Sequence, residues 1–158
     1  MKIDISILNK TVLNIALQEE TERQLANQYL IKQQIQEGTR FDGDEDLVAE
    51  IDRLKASFGI MQIRQKPVFD INDEEVMFLE RMIANQTIMS NGRLAAWAVN
   101  GSMTNFLKKK YFNENPNANE ETFEEVRLDM MKYDEDIKNC MKELANIINV
   151  DYNPDLKL

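Results

Sequence analysis

Residues 122–147 read TFEEVRLDMMKYDEDIKNCMKELANI, and this stretch decides the fold. Phe123, Val126, Met130, Tyr133, Ile137, Cys140, Leu144 and Ile147 recur at alternating spacings of three and four, which puts them on one helix face. The spacing predicts a long amphipathic C-terminal helix. Thr122 and Glu125 read as a capping-box pair at its start. The stripe holds Tyr and Cys and no Leu before Leu144, which suits a bundle seam better than a zipper. Docking in one bundle is the favoured reading; pairing with a second copy is the alternative.

Working back toward the N-terminus, residues 113–119 (Asn-Glu-Asn-Pro-Asn-Ala-Asn) read as a linker rich in turn formers. Gly101-Ser102 marks a helix restart, with Ser102 capping a helix over Met103–Phe112. Ser90-Asn91-Gly92 predicts a break or kink, followed by a short helix from Arg93 to Asn100. Asn72 with Glu75 predicts another helix start, and Val76, Leu79, Met82 or Ile83, and Gln86 form its inner face. Pro67 ends the element before it. That element carries Leu47, Ile51, Leu54, Phe58 and Met61 in a heptad-like stripe, with Asp44 as its N-cap. The first helix should run from Ser6 or Lys10 to Glu37, with Gly38 as its stop. Its apolar positions are Ile5, Leu8, Val12, Ile15, Ala26 and Tyr29, and Glu19 and Glu22 interrupt them. At that gap the helix is exposed or changes partner.

Five Gly and three Pro in 158 residues leave little to interrupt helix. The fold expected is all-α: a helical bundle of four to six helices with a long amphipathic C-terminal helix. One domain spans 1–158, with a linker-like loop at 113–119 and a short polar tail at 151–158 containing Pro154. No repeat of solenoid period occurs.

Composition excludes several classes of chemistry. There is no His, which removes Ser-His-Asp and Cys-His triads and imidazole metal sites. The single Cys140 permits no internal disulfide and no thiolate zinc cluster. It lies on the apolar stripe and reads as a buried thiol rather than a nucleophile. The longest apolar runs fall short of the roughly 18 residues that cross a bilayer. Met1-Lys2-Ile3-Asp4 has no apolar h-region after it, so no secretory signal is read and a reducing, cytoplasmic setting is expected. Asn occupies 16 positions, a usage that accompanies AT-rich genomes, and a phage or mobile-element origin fits it.

Charge is distributed unevenly. The net formal charge is −9, which disfavours general binding to duplex nucleic acid. Residues 1–80 hold 16 acids against 9 bases, and residues 113–158 hold 12 against 5. Residues 81–112 hold no acid and five bases: Arg81, Arg93, Lys108, Lys109 and Lys110. Trp97, Phe106, Tyr111 and Phe112 lie in the same segment. Arg81, Arg93, Trp97, Lys108, Lys109, Lys110 and Tyr111 are therefore the candidate ligand- or partner-binding residues. Arg93 and Trp97, four apart, would share a helix face and offer a cation and a stacking surface to a phosphorylated ligand. The competing structural reading makes Trp97 core and the lysines a complement to a helix C-terminus. No GxGxxG or Walker pattern supports a phosphate cradle.

Carboxylates one turn apart, Glu121 with Glu124 and Glu19 with Glu22, are the only hint of a magnesium-dependent nucleotide hydrolase, and random spacing in so acidic a chain produces them. Asp42, Asp44 and Asp46 alternate like the first ligands of a calcium loop, but Leu47 and Arg53 break the pattern. The acids of the last helix are interrupted by Arg127, Lys132 and Lys138, so they read as a solvated face rather than a phosphate mimic. No catalytic residue, metal ligand or cofactor is assigned. The leading expectation is a non-enzymatic protein that binds another protein, as an adaptor, inhibitor or assembly factor. The alternative is a binder of a nucleotide or other phosphorylated small ligand through residues 81–112.

Overall fold

The computed structural model describes residues 1–38, 56, 66–99 and 101–158. Its elements are β1 (Lys2–Asp4), α1 (Lys10–Gln36), β2 (Val68–Asp70), α2 (Asp73–Ala96), α3 (Ser102–Glu114) and α4 (Glu120–Ile147). The architecture is an all-α bundle with one small sheet at its edge. The stripe from Leu47 to Met61 and the alternating Asp42, Asp44 and Asp46 lie outside the described residues.

The two strands were not anticipated from sequence. β1 and β2 pair antiparallel, with Ile3 opposite Phe69. The pairing extends one residue further, where the Ile71 N–H donates to the Met1 carbonyl at 2.8 Å and the Met1 amine donates to the Ile71 carbonyl at 3.0 Å. Three residues per strand are too few to show a period-two pattern. Their anchoring is tertiary: Ile3 and Ile71 are both buried in the main core.

That core joins α1, α2 and α4. Leu8, Leu13 and Leu17 meet Phe78, Leu79, Met82 and Ile83, and the set is closed by Ile137, Met141, Leu144 and Ile148. Removing such side chains from water is the main favourable term in the fold.

Helix ends follow local chemistry. Asn9 caps α1 by accepting from the Val12 N–H at 3.2 Å. Gly38 ends that helix in the left-handed region, at φ 70°, as its C-terminal position requires. Asn72 and Glu75 form the expected capping box on α2. Two expected starts differ. Gly101, not Ser102, occupies the N-cap of α3. Asn119, not Thr122, caps α4, and its Oδ1 accepts from both the N–H and the hydroxyl of Thr122. Thr122 is thus spent inside the cap rather than serving as one. The linker is also shorter than expected, because α3 continues to Glu114.

No break occurs at Ser90-Asn91-Gly92. α2 runs through to Ala96. Ser90 is fully buried and Asn91 donates to the carbonyls of Pro154 and Leu156 at 2.9 and 2.7 Å, so tertiary contacts offset the roughly 1 kcal/mol helix penalty of Gly92. The same bonds strap the C-terminal tail to α2.

The inner face of α1 also differs from the apolar reading. Its stripe is Leu13, Leu17, Glu20, Gln24 and Ile31, all buried, whereas Ala26 and Tyr29 are exposed. At the gap, Glu22 is exposed as expected and Glu19 is half-buried, but the inward-facing positions are polar rather than apolar. Glu20 is completely buried and accepts from Gln24 and Asn85 at 3.1 Å each, and pairs with Arg23. Gln86 donates to Glu19 at 2.7 Å, and Arg81 donates to Gln24 at 3.2 Å. Buried polar atoms persist only with such partners.

Candidate functional site

The basic segment spans about the last four turns of α2, the corner after it, and most of α3. Gly101 makes the corner. A Cβ there would stand 2.7 Å from the Ala95 carbonyl oxygen and closer still to that of Ala96, so only Gly permits this approach. The final carbonyls of α2 are then satisfied from both sides. Thr104, buried in α3, points its hydroxyl to the Ala96 carbonyl at 3.4 Å, and Arg127 of α4 donates to the Trp97 carbonyl at 2.9 Å. A guanidinium at this position also meets the negative end of the helix.

Arg127 is itself buried and pairs with Glu124. That hydrogen bond, with the nearby Lys108 as a smaller cause, holds the Glu124 carboxyl below the ordinary carboxylate range. One heptad along the same face, buried Asp134 accepts from the Arg93 Nε at 2.7 Å. Arg127 and Asp134 therefore hold inward positions flanking Met130 and Tyr133, which the apolar spacing pointed inward and which are half exposed. The sequence signal for this was an Arg and an Asp seven apart beside the stripe, facing an acid-free partner segment.

The candidate residues have separate placements. Arg81 reaches Gln24 on α1. Arg93 belongs to the α2–α4 seam. Trp97 is the half-buried C-cap of α2. Lys108 pairs with Glu120 at 2.6 Å across the α3–α4 turn. Tyr111 packs against Phe112 and Phe123 with ring centroids 5.6 and 5.5 Å apart, a geometry that favours aromatic contact. Lys109 and Lys110 are exposed on α3, and among the described residues neither has a carboxylate within ion-pair distance.

Two apolar neighbours complete that surface. Phe106 is 68% exposed and Met103 is 41% exposed. Met103, Phe106 and Lys110 lie at i, i+3 and i+7, so they share a face, with Lys109 beside Phe106. Phe106 stood out in the sequence with the other aromatics of the segment; Met103 did not, because a lone Met gives no pattern.

Among the described residues no three Cys, Asp or Glu side chains gather in a group able to hold a metal ion. Glu19 is engaged by Gln86 and Glu124 by Arg127. No described helix is long and apolar enough to cross a membrane. No family model matches the chain, and comparisons with curated proteins and with solved structures give no match either.

Proposed function

We propose that this chain is a non-enzymatic helical protein that binds another protein through the outer face of α3. The observation that carries this reading is Phe106, an aromatic side chain 68% exposed beside two lysines that have no ion-pair partner among the described residues, in a chain of net charge −9. Aromatic anchors ringed by charge are typical of protein interfaces. The partner that fits is an acidic surface with an apolar pocket for Phe106. Lys109 and Lys110 would steer the encounter and Phe106 would set its lifetime. An adaptor, inhibitor or assembly factor is the role such a surface suits.

The test is affinity capture with the full chain and with a Phe106→Asp, Lys109→Glu, Lys110→Glu variant. All three positions are exposed, so the melting temperature should stay within a few degrees. Loss of a partner retained by the parent chain is expected. Retention of every partner at parental levels overturns the reading. Arg93 is left intact, because a Glu there would face the buried Asp134 carboxylate and break the fold.

The phosphorylated-ligand reading draws less support. The charge of Arg93 is met by Asp134, and Lys108–Lys110 lie in the second half of α3, where the helix dipole disfavours an anion. Self-association through α4 draws its support from Leu128, Met130 and Tyr133, each about half exposed. Sedimentation equilibrium of the parent chain and a Leu128→Glu, Tyr133→Glu variant tests it.

A further inference from the structure

A second feature lies at the opposite edge of the bundle and is independent of α3. A cavity of about 40 Å³ opens between the sheet, α1, α2 and α4. Its walls are apolar, formed chiefly by Leu13, Leu17, Phe69, Leu79 and Leu144. Among its described lining residues only Lys10, Lys66 and Asn14 carry polar side chains, and none of these residues is an acid.

We propose that this cavity binds a short aliphatic carboxylate. Its volume is about three times the ~10–15 Å³ that holds one water, but its walls offer too few polar partners for ordered water, and apolar cavities of this kind stay dry. A hydrocarbon chain entering it regains the dispersion contacts that the wall atoms lack. Three or four carbons fill the enclosed part. The head group is then left among the rim residues, where Lys10 and Lys66 are both exposed. Among the described residues neither lysine has a carboxylate within ion-pair distance. An anion is therefore favoured there and an ammonium repelled. A bare phosphate would leave the apolar walls empty. A carboxylate on a chain of four to six carbons satisfies both parts.

The experiment is a titration of the isotopically labelled full chain followed by amide chemical shifts. Propionate, butyrate and hexanoate are compared with hexanol and hexylammonium. Shifts should cluster at Ile3, Leu13 and Phe69, and affinity should rise about fourfold per methylene until the cavity is full. Hexanoate should bind at least tenfold more tightly than hexylammonium. Lys10→Glu with Lys66→Glu, both at exposed positions, should erase that preference while leaving hexanol binding unchanged. Equal binding of hexanoate and hexylammonium overturns the proposal. So do shifts that ignore chain length, shifts confined to exposed lysines, and the absence of any shift at the lining residues.

Discussion

Arg93 and Asp134, 41 residues apart in sequence, meet at 2.7 Å across the seam between α2 and α4. The two ends of this bond are not equivalent. The Asp134 side chain is 3% exposed and the Arg93 side chain 39% exposed. Removing the arginine strands a carboxylate in the interior. Removing the aspartate leaves a guanidinium that reaches water.

Arg93→Ala should therefore destabilise more than Asp134→Ala. Roughly 2 kcal/mol against roughly 1 kcal/mol is expected, below the values for fully buried pairs because Arg93 is partly solvated. Urea denaturation of both variants and of the double variant measures the difference. The double variant should lie close to Asp134→Ala, since no buried charge remains unpaired in it.

Glu20→Ala should cost more than either, roughly 3 kcal/mol. Gln24 and Asn85 both donate to that carboxylate, and its loss leaves one buried and one half-buried amide and a void. Glu20→Gln should recover part of the loss, because one carbonyl oxygen survives. Thermal melts of the three chains rank them directly.

Gly101→Ala should cost roughly 2 kcal/mol or more, because the added methyl collides with the Ala95 and Ala96 carbonyls, which are backbone and cannot turn aside. Trp97 sits at that corner and is the only tryptophan, so its emission should shift toward the exposed form. Gly92→Ala is the control. Nothing lies within 4 Å of its added methyl, and a helix-interior Ala there should stabilise by about 1 kcal/mol.

Cys140 supplies a pH dependence. Burial, and then the nearby Glu143 charge, push its thiol up to about 12, against a weaker opposing hydrogen bond from the Asn9 backbone. The unfolded thiol loses its proton near 9, so between 9 and 12 the folded chain holds more protons than the unfolded one. The thiol's contribution is intact below pH 9, and stability then falls by about 1.4 kcal/mol per unit as pH rises. Tyr152, raised by burial despite its hydrogen bond to Thr87, adds to the alkaline loss. Cys140→Ala should flatten the decline. At pH 8, iodoacetamide should modify the native chain at least about a thousandfold more slowly than the unfolded one.

Caps and periodicity made much of this fold legible. Asn72 with Glu75, Gly38 as a stop, and the inward Phe123, Ile137, Cys140 and Leu144 all read directly from residue type and spacing. Charged interior positions did not. Glu20, Arg127 and Asp134 are buried because each finds a partner on another element, and a hydrophobic pattern carries no record of those partners. The choice between Asn119 and Thr122 depends on which residue leaves the helix first, and both are good caps. At the candidate surface, residue types marked the segment 81–112 as unusual. Which cations already have a carboxylate partner within the chain (Arg93 on Asp134, Lys108 on Glu120) follows only from packing.

The contacts of Glu19, Glu20 and Gln24 with Gln86, Asn85 and Arg81 run in opposite order along α1 and α2. A seam held this way exposes little hydrocarbon when it parts. Its opening should carry a small heat-capacity increment and a shallow dependence on urea, unlike that of the leucine-rich seam closed by Leu144. Backbone amides in the second half of α1 should then exchange with deuterium through excursions that leave α2 and α4 intact. The molecule would hold two clocks: a fast one set by amide and carboxylate pairs, and a slow one set by its oil.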